Sequence, residues 1–325
     1  MAMAGTVEVR ELVKRYPKEP IDAVDRLSFA VAGGEVFGLL GPNGAGKSTT
    51  IGVLTTRVRP TAGHALIGGV DVVGAPRTVR GLLGVVPQRN NLDRALSVRQ
   101  NLCFHAAYHG VPPQVRKRRA DALLEQFALT DRANDKPEYF SGGQNQRMMI
   151  ARALMHDPSV LFLDEPTTGL DPAARLFVWD RLRELRETGV TIVLTTHNMD
   201  EAAALADRVG IVDSGRLLAL DTPAALVRRL ATRATLQLTV ELASQGMTTE
   251  LLEALGRLVG VQRGEQVSAT GTVHSIRLSC TGNAADMIAP VAAVVAGAGG
   301  RMAGVEIAQA SLEDVFINLT GRTLR

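Results

Sequence analysis

The segment Gly41-Pro42-Asn43-Gly44-Ala45-Gly46-Lys47-Ser48-Thr49 is a complete G-x-x-x-x-G-K-S phosphate loop followed by a threonine. Its glycines let backbone N–H groups crowd round an anion, and a helix starting at its end adds partial positive charge. Lys47 has the reach for β- and γ-phosphates, and the Ser48 hydroxyl suits Mg²⁺. A second group, Asp164-Glu165, ends the apolar run Val160-Leu161-Phe162-Leu163. The first carboxylate suits Mg²⁺ coordination and the second suits polarising an attacking water, as a hydrolytic nucleotide site requires. An acidic pair opening a helix is the plainer reading of the same two residues. A third group, Phe140-Ser141-Gly142-Gly143-Gln144, places a hydroxyl and two glycines ahead of a helix-like stretch. Close backbone approach and a helix dipole again suit phosphate, although Ser141 alone reads equally as an ordinary N-cap.

These groups need elements to hold them. The run Val36-Phe37-Gly38-Leu39-Leu40 reads as a buried strand entering the loop, and residues 48–54 read as a helix leaving it. Residues 83–86, 160–163, 191–194 and 209–212 are near-continuously apolar. Such strands, separated by helical stretches, predict a mainly parallel sheet buried on both faces. Ligands of such sheets sit at the carboxyl ends of the strands, and the phosphate loop, Asp164 and His197 each follow one. Residues 6–12 alternate as a half-buried strand, a second such strand is expected at 23–31, and Gly33-Gly34 marks a turn. Between Pro87 and Asp157 the pattern predicts a helical insertion with helices at 98–108, 113–127 and 143–155. From the last of these Ile150, Ala151, Leu154 and Met155 would face the core. Beyond the basic stretch 228–233 the order becomes strand 235–242, helix 248–258, strands 261–267 and 273–279, helix 283–296 and strand 305–309. A final helix is expected at 312–319. The βαββαβ order predicts a small two-layer domain of ferredoxin-like type.

Composition bounds the rest. An apolar share of 46% supports a substantial core, and with few aromatics that core must be Leu, Val, Ile and Ala. A net charge of +3 is too small to imply a polyanionic partner. The basic run Arg116-Lys117-Arg118-Arg119 reads first as a solvated helix face, with lipid headgroups or nucleic acid as the lesser alternative. Cys103 and Cys280 lie far apart with no metal-ligand spacing, which predicts two ordinary buried thiols in a reducing compartment. No secretory signal opens the sequence, and no apolar run approaches the ~20 residues of a membrane-spanning helix. The expectation is a soluble polypeptide whose membrane role, if any, comes through a partner.

With these segments in this order, the chain resembles the ATP-binding-cassette (ABC) ATPases over roughly residues 6 to 225. Phe140-Ser141-Gly142-Gly143-Gln144 stands for the family signature, with Phe140 in place of the usual Leu and Asn145 in place of a frequent Gln. Neither change touches the nucleotide-facing atoms, so neither predicts lost activity. The resemblance implies an α/β P-loop NTPase fold with a mainly parallel core sheet, an antiparallel β-subdomain and a helical subdomain at about 88–157. The nucleotide-binding domain would span 1–228 and a C-terminal α+β accessory domain 229–325. It also implies roles. Tyr16 would stack on adenine, and residues Gly41 to Thr49 would hold the phosphates. Ser48, Gln88 and Asp164 would serve Mg²⁺. Glu165, His197, Lys47 and Gln88 would be catalytic. Ser141, Gly142, Gly143, Gln144 and Asp171, the last in Gly169-Leu170-Asp171-Pro172, would close the ATP site of a second copy. The implied unit is therefore a head-to-tail pair of nucleotide-binding domains.

The tail Ser311-Leu312-Glu313-Asp314-Val315-Phe316-Ile317-Asn318-Leu319-Thr320-Gly321 resembles the terminal motif of bacterial drug-resistance exporter ATPases of the daunorubicin/multidrug type. Residues 87–93 and 96–102 look like the same group. These ATPases pair with separately encoded ABC-2-type permeases. The resemblance thus implies export of a drug, antibiotic or other hydrophobic natural product from the cytoplasmic face of the membrane, with no nucleic-acid partner. Export of lipid or polysaccharide stays open. So does a soluble ABC protein, against which a single cassette and no sustained heptad argue. So does an inactive regulatory module, against which Lys47, Asp164, Glu165 and His197 stand.

Overall fold

Strands with apolar residues at every position have two faces to bury, and this chain buries both. The computed structural model describes residues 5–17, 19–230, 233–242, 247–281, 284–308 and 311–321. The expected first residue of one helix, Asn283, the expected last residue of one strand, Gln309, and the opening Met1 to Ala4 lie outside the described residues. The chain divides into two compact units, the first running to Pro223 and the second starting at Ala224.

The first unit contains, in order, β1 (Val7–Lys14), β2 (Val24–Val31), β3 (Val36–Leu40), α1 (Lys47–Leu54), β4 (Ala62–Ile67), β5 (Val70–Asp71), α2 (Pro76–Leu82) and β6 (Leu83–Val86). The helices α3 (Val98–Tyr108), α4 (Pro113–Gln126) and α5 (Gly142–Ala153) follow. Then come β7 (Val160–Asp164), α6 (Pro172–Glu187), β8 (Thr191–Thr196), α7 (Met199–Leu205), β9 (Arg208–Asp213) and β10 (Arg216–Asp221). A short α8 (Pro223–Arg228) spans the boundary between the units.

The central sheet has the order β10-β9-β3-β8-β7-β6, with every pair parallel except the edge strand β10. Its two faces are read off alternate residues. Val36, Leu161, Leu163, Ile192 and Leu194 join a core formed with α3, α4, α5 and α6. Their neighbours Phe37, Leu39, Val160, Phe162 and Val193 join a second core with α1 and the outer strands β1, β2 and β4. Those outer strands belong to an antiparallel sheet of order β2-β1-β4-β5, which is buried on one face, as the alternation along β1 and β2 requires. The helical insertion is present: α3 and α4 match their expected spans to within a residue, and Ile150, Ala151, Leu154 and Met155 are buried. The basic run on α4 lies on its outer side, with Lys117 and Arg118 exposed and Arg119 paired to Asp157.

The second unit has β11 (Arg233–Glu241), α9 (Met247–Gly256), β12 (Val261–Thr270), β13 (Val273–Thr281), α10 (Ala284–Gly297), β14 (Arg301–Ala308) and α11 (Leu312–Thr320). Its sheet has the order β12-β13-β11-β14, all antiparallel, which is the ferredoxin-like βαββαβ arrangement. Leu236, Leu238 and Val240 alternate inward against Leu251, Leu255, Val291 and Val295 of the two helices. Both cysteines are free thiols. Cys280 is buried as expected, but Cys103 is only half-buried, because it sits at the margin of α3 rather than on its inner face.

Candidate active site

The strand order decides what meets what. At the carboxyl ends of β3, β8, β7 and β6, four neighbours in the sheet, the chain delivers in turn the phosphate loop, His197, the Asp164-Glu165 pair and Gln88. Gly46 caps α1 with φ of 97°, a left-handed conformation, and a Cβ there would lie 2.3 Å from the carbonyl oxygen of Ala23. The loop therefore turns into α1 by a route open to glycine, leaving the first N–H groups of the helix free to face an anion. Within it Gly41, Ala45 and Lys47 are buried, Pro42, Gly46 and Thr49 are partly covered, and Asn43, Gly44 and Ser48 are exposed.

The Lys47 side chain is 5% exposed, and its ammonium donates to the carbonyl oxygens of Gly41 (2.7 Å) and Pro42 (3.0 Å). It stands 3.8 Å from Glu165 Oε1. Burial pushes its pKa below the ordinary lysine range, and the carboxylates of Glu165 and Asp164 oppose that shift. Glu165 is the hub of the cluster. Its Oε1 lies 3.2 Å from His197 Nδ1, and its Oε2 accepts from Gln88 Nε2 (2.8 Å) and from the Thr168 hydroxyl (3.3 Å). Its backbone has φ of 51°, a left-handed conformation that costs a non-glycine residue of order 1–3 kcal/mol. Hydrogen bonds from Glu165 N to the carbonyl and hydroxyl oxygens of Thr195, at 3.0 and 3.1 Å, hold it there. Beside it the Ser48 hydroxyl donates to Asp164 Oδ1 at 3.1 Å, and that same oxygen accepts from Thr195 Oγ1. Two oxygen donors thus converge at the start of α1, a set that fits Mg²⁺, which takes one or two protein oxygens and keeps water for the rest.

Three expected site groups stand apart from this cluster. The hydrogen bonds of Ser141 and Gln144 run to each other as a reciprocal capping box on α5, at 3.2 and 3.0 Å. Gly142 beside them is exposed, while Gly143 is buried where a Cβ would come within 2.7 Å of Ala174 Cβ. Asp171 caps α6 by accepting from Ala174 N at 2.9 Å. Tyr16 is exposed after β1, with its hydroxyl 3.5 Å from Thr49 Oγ1 and Lys14 Nζ 5.0 Å above its ring. Lys14 thus stands over one face of the ring, beside the phosphate loop.

Sequence reading passed over two kinds of residue that hold the site. Thr195 and Thr168 fix Asp164 and Glu165. The buried Glu201, on α7, accepts from Thr167 (2.7 Å) and Trp179 Nε1 (3.3 Å), tying the segment after Glu165 to α6 and α7. A threonine pair closing a fully apolar strand was a usable signal for the first; the partners of Glu201 are distant in sequence and left none.

Comparison with known proteins agrees with this geometry. The family model described as "ABC transporter" matches residues 24–168. The linearmycin resistance ATP-binding protein LnrL of Bacillus subtilis is 37% identical over 322 residues, covering 98% of this chain and 99% of that protein. The Nod factor export ATP-binding protein I of Burkholderia orbicola is 45% identical over 221 residues, 68% of this chain and 72% of that one. A solved ATP-binding subunit of an ABC transporter superposes with a TM-score of 0.64 at 32% identity, over 69% of this chain and 93% of that structure. The dimeric, post-hydrolysis cassette MJ0796 bound to ADP and Pi superposes at 0.62 with 28% identity, over 66% and 98%. With the nucleotide cluster at the sheet edge and a relative matched along its whole length, the chain belongs to the ATP-binding subunits of ABC transporters and is an ABC-type ATPase.

Proposed function

We propose that this chain is the ATP-hydrolysing subunit of a bacterial exporter, working as a head-to-tail pair and driving a separate permease of the ABC-2 type. The observation that carries the reading is the division of the site: Lys47, Glu165, Gln88 and His197 are joined by contacts within one chain, while the side chains of Ser141 and Gln144, at the exposed end of α5, accept only from each other's backbone N–H among the described residues. One copy then supplies the phosphate loop and the acids, and the exposed Ser141 and Gly142 of a second copy complete the site. MJ0796, 28% identical, is described as a dimer with ADP and Pi.

In this reading Lys47 and the loop N–H groups take the β- and γ-phosphates, and Tyr16 takes the adenine. Ser48, Asp164 and Gln88 would hold Mg²⁺, which when bound neutralises phosphate charge. The Glu165 carboxylate orients the attacking water and accepts its proton, and His197 steadies the γ-phosphate end. Asp171, at the head of α6, serves the contact between the two copies. Closure with ATP and release after hydrolysis would shift the pair between two states.

Export is supported by the names of the two relatives matched along both units, one for linearmycin resistance and one for Nod factor export. The first favours a drug or other hydrophobic natural product as cargo; the second favours another exported cargo as the alternative reading. No helix among the described residues is long and apolar enough to cross a membrane, so a membrane partner would hold the chain at the cytoplasmic face. Glu165→Gln tests the assignment: phosphate release should fall by at least about a hundredfold while ATP binding persists and a dimer accumulates in sedimentation. Unchanged turnover in that variant would remove Glu165 as the base. Recovery of a polytopic permease with the purified chain tests the transporter assignment separately.

A further inference from the structure

Three of the six histidines gather away from the nucleotide cluster. His105 and His109 are four residues apart at the end of α3, so they share one face of the helix. His156 approaches from the connection between α5 and β7. One ring nitrogen of each lies within 4.8 Å of the others. The His109 and His156 rings stack at 3.8 Å, and the His105 ring stands 4.8 and 5.7 Å from them.

We propose that His105, His109 and His156 form a binding site for an imidazole-preferring divalent metal, of which Zn²⁺ is the first candidate. The hydrogen bonding of His156 carries the argument furthest. Its Nε2 lies 3.0 Å from the carbonyl oxygen of Leu83, which can only accept, so Nε2 bears the proton. Its Nδ1 then carries a lone pair, and that atom is buried with no hydrogen-bond partner among the described residues. A backbone carbonyl that fixes the tautomer of one nitrogen and points the other at a metal is the usual outer support of a metal-bound histidine. An orphaned buried acceptor otherwise costs free energy with no return.

The electrostatics agree. Burial, then Arg152 and the other two imidazoles, holds the His105 pKa down at about 3, and burial with His109 holds His156 at about 4. Burial lowers His109 as well. Metal–nitrogen bonds of about 2.0–2.1 Å require the nitrogens to draw together by roughly 1.5 Å and the stacked His109 and His156 rings to turn out of their parallel arrangement so that their in-plane lone pairs converge. The site opens on a cavity of about 800 Å³ whose wall also carries Arg57, Arg77, Arg80 and Arg152. The nitrogen donors make this site chemically distinct from the Ser48–Asp164 oxygen pair. The guanidinium groups repel any dication, and an anion at the open fourth position of a three-histidine metal would offset that repulsion.

The test uses the full chain without a histidine tag, stripped by EDTA and titrated with Zn²⁺ against a chromophoric chelator in Mg²⁺-free buffer. One equivalent should bind, and His105→Gln, His109→Gln and His156→Ala should each weaken it by at least about tenfold, the least that loss of even an outer support costs. A melting temperature raised by Zn²⁺ in the parent and not in the variants would corroborate it. His109→Gln, on the half-buried rim, guards against loss of fold, checked by circular dichroism. Absence of binding in the parent, or equal binding in a folded His109→Gln chain, overturns the site.

Discussion

The amino ends of α1 and α5 make the same chemical offer, a glycine-flanked helix start with a hydroxyl, yet they spend it differently. At α1 the neighbouring strands bring a lysine, two carboxylates, a glutamine and a histidine into contact, so the groups around the phosphate loop are already organised. At α5 the Ser141 hydroxyl is occupied by its own capping box, and among the described residues nothing from the sheet edge bonds to it. One end is built by strand order within a chain; the other presents an exposed surface that a second molecule can use. Preorganised charge is worth most where water is excluded, so the first end can hold catalysis and the second can make it conditional on assembly.

Breaking either end tests that contrast. Lys47→Ala should abolish the phosphate grip and reduce ATP turnover by at least about a hundredfold. Ser141→Arg, which leaves the cluster around Glu165 untouched, should reduce it comparably by blocking the approach of a second copy. Mixing the two inactive chains should then restore about a quarter of parental turnover, because half of the pairs would be mixed and each would carry one intact site. Phosphate-release assays on the mixture check this, and no recovery would show that both ends act within one chain.

Smaller changes sharpen the comparison through stability. Phe162→Ala, in the strand leading to Asp164, should cost about 3–5 kcal/mol in denaturant unfolding, since the ring is fully buried between the sheet and its neighbours. Gly143→Ala should cost about 1–3 kcal/mol by overpacking against Ala174. Phe140→Leu should change unfolding by less than about 1.5 kcal/mol and leave turnover near parental. Phe140 is an apolar side chain packed near Arg132, 5.1 Å from its ring.

Much of this was legible in the residues. The phosphate loop, the acidic pair and the capping serine stand where their flanking elements begin or end, because glycine, proline and short polar residues act locally. The helices of the insertion were read closely for the same reason: α3 and α5 begin at capping boxes that can be seen in four residues. Other elements left a weaker trace. β14 starts at Arg301, four residues before its apolar pattern at 305, because pairing with β11 extends it through Gly304 and, past a register shift at Ala303, through Met302 and Arg301. An Arg301–Glu241 ion pair of 2.8 Å closes that end of the ladder. β4, with Ala62, Gly63 and His64, has little strand propensity and exists by its pairing to β1.

By itself, then, the sequence determined which groups could touch a nucleotide and which segments would become strands or helices. Those properties depend on residue type and short-range spacing. Only the tertiary structure decided that β3, β8, β7 and β6 lie side by side, bringing Lys47, His197, Glu165 and Gln88 together from segments far apart in sequence. It alone decided that His156 meets His105 and His109, and that Glu165 is held left-handed by Thr195. Strand order and long-range packing are set by how the whole chain buries its apolar faces, a cooperative outcome that no local pattern encodes.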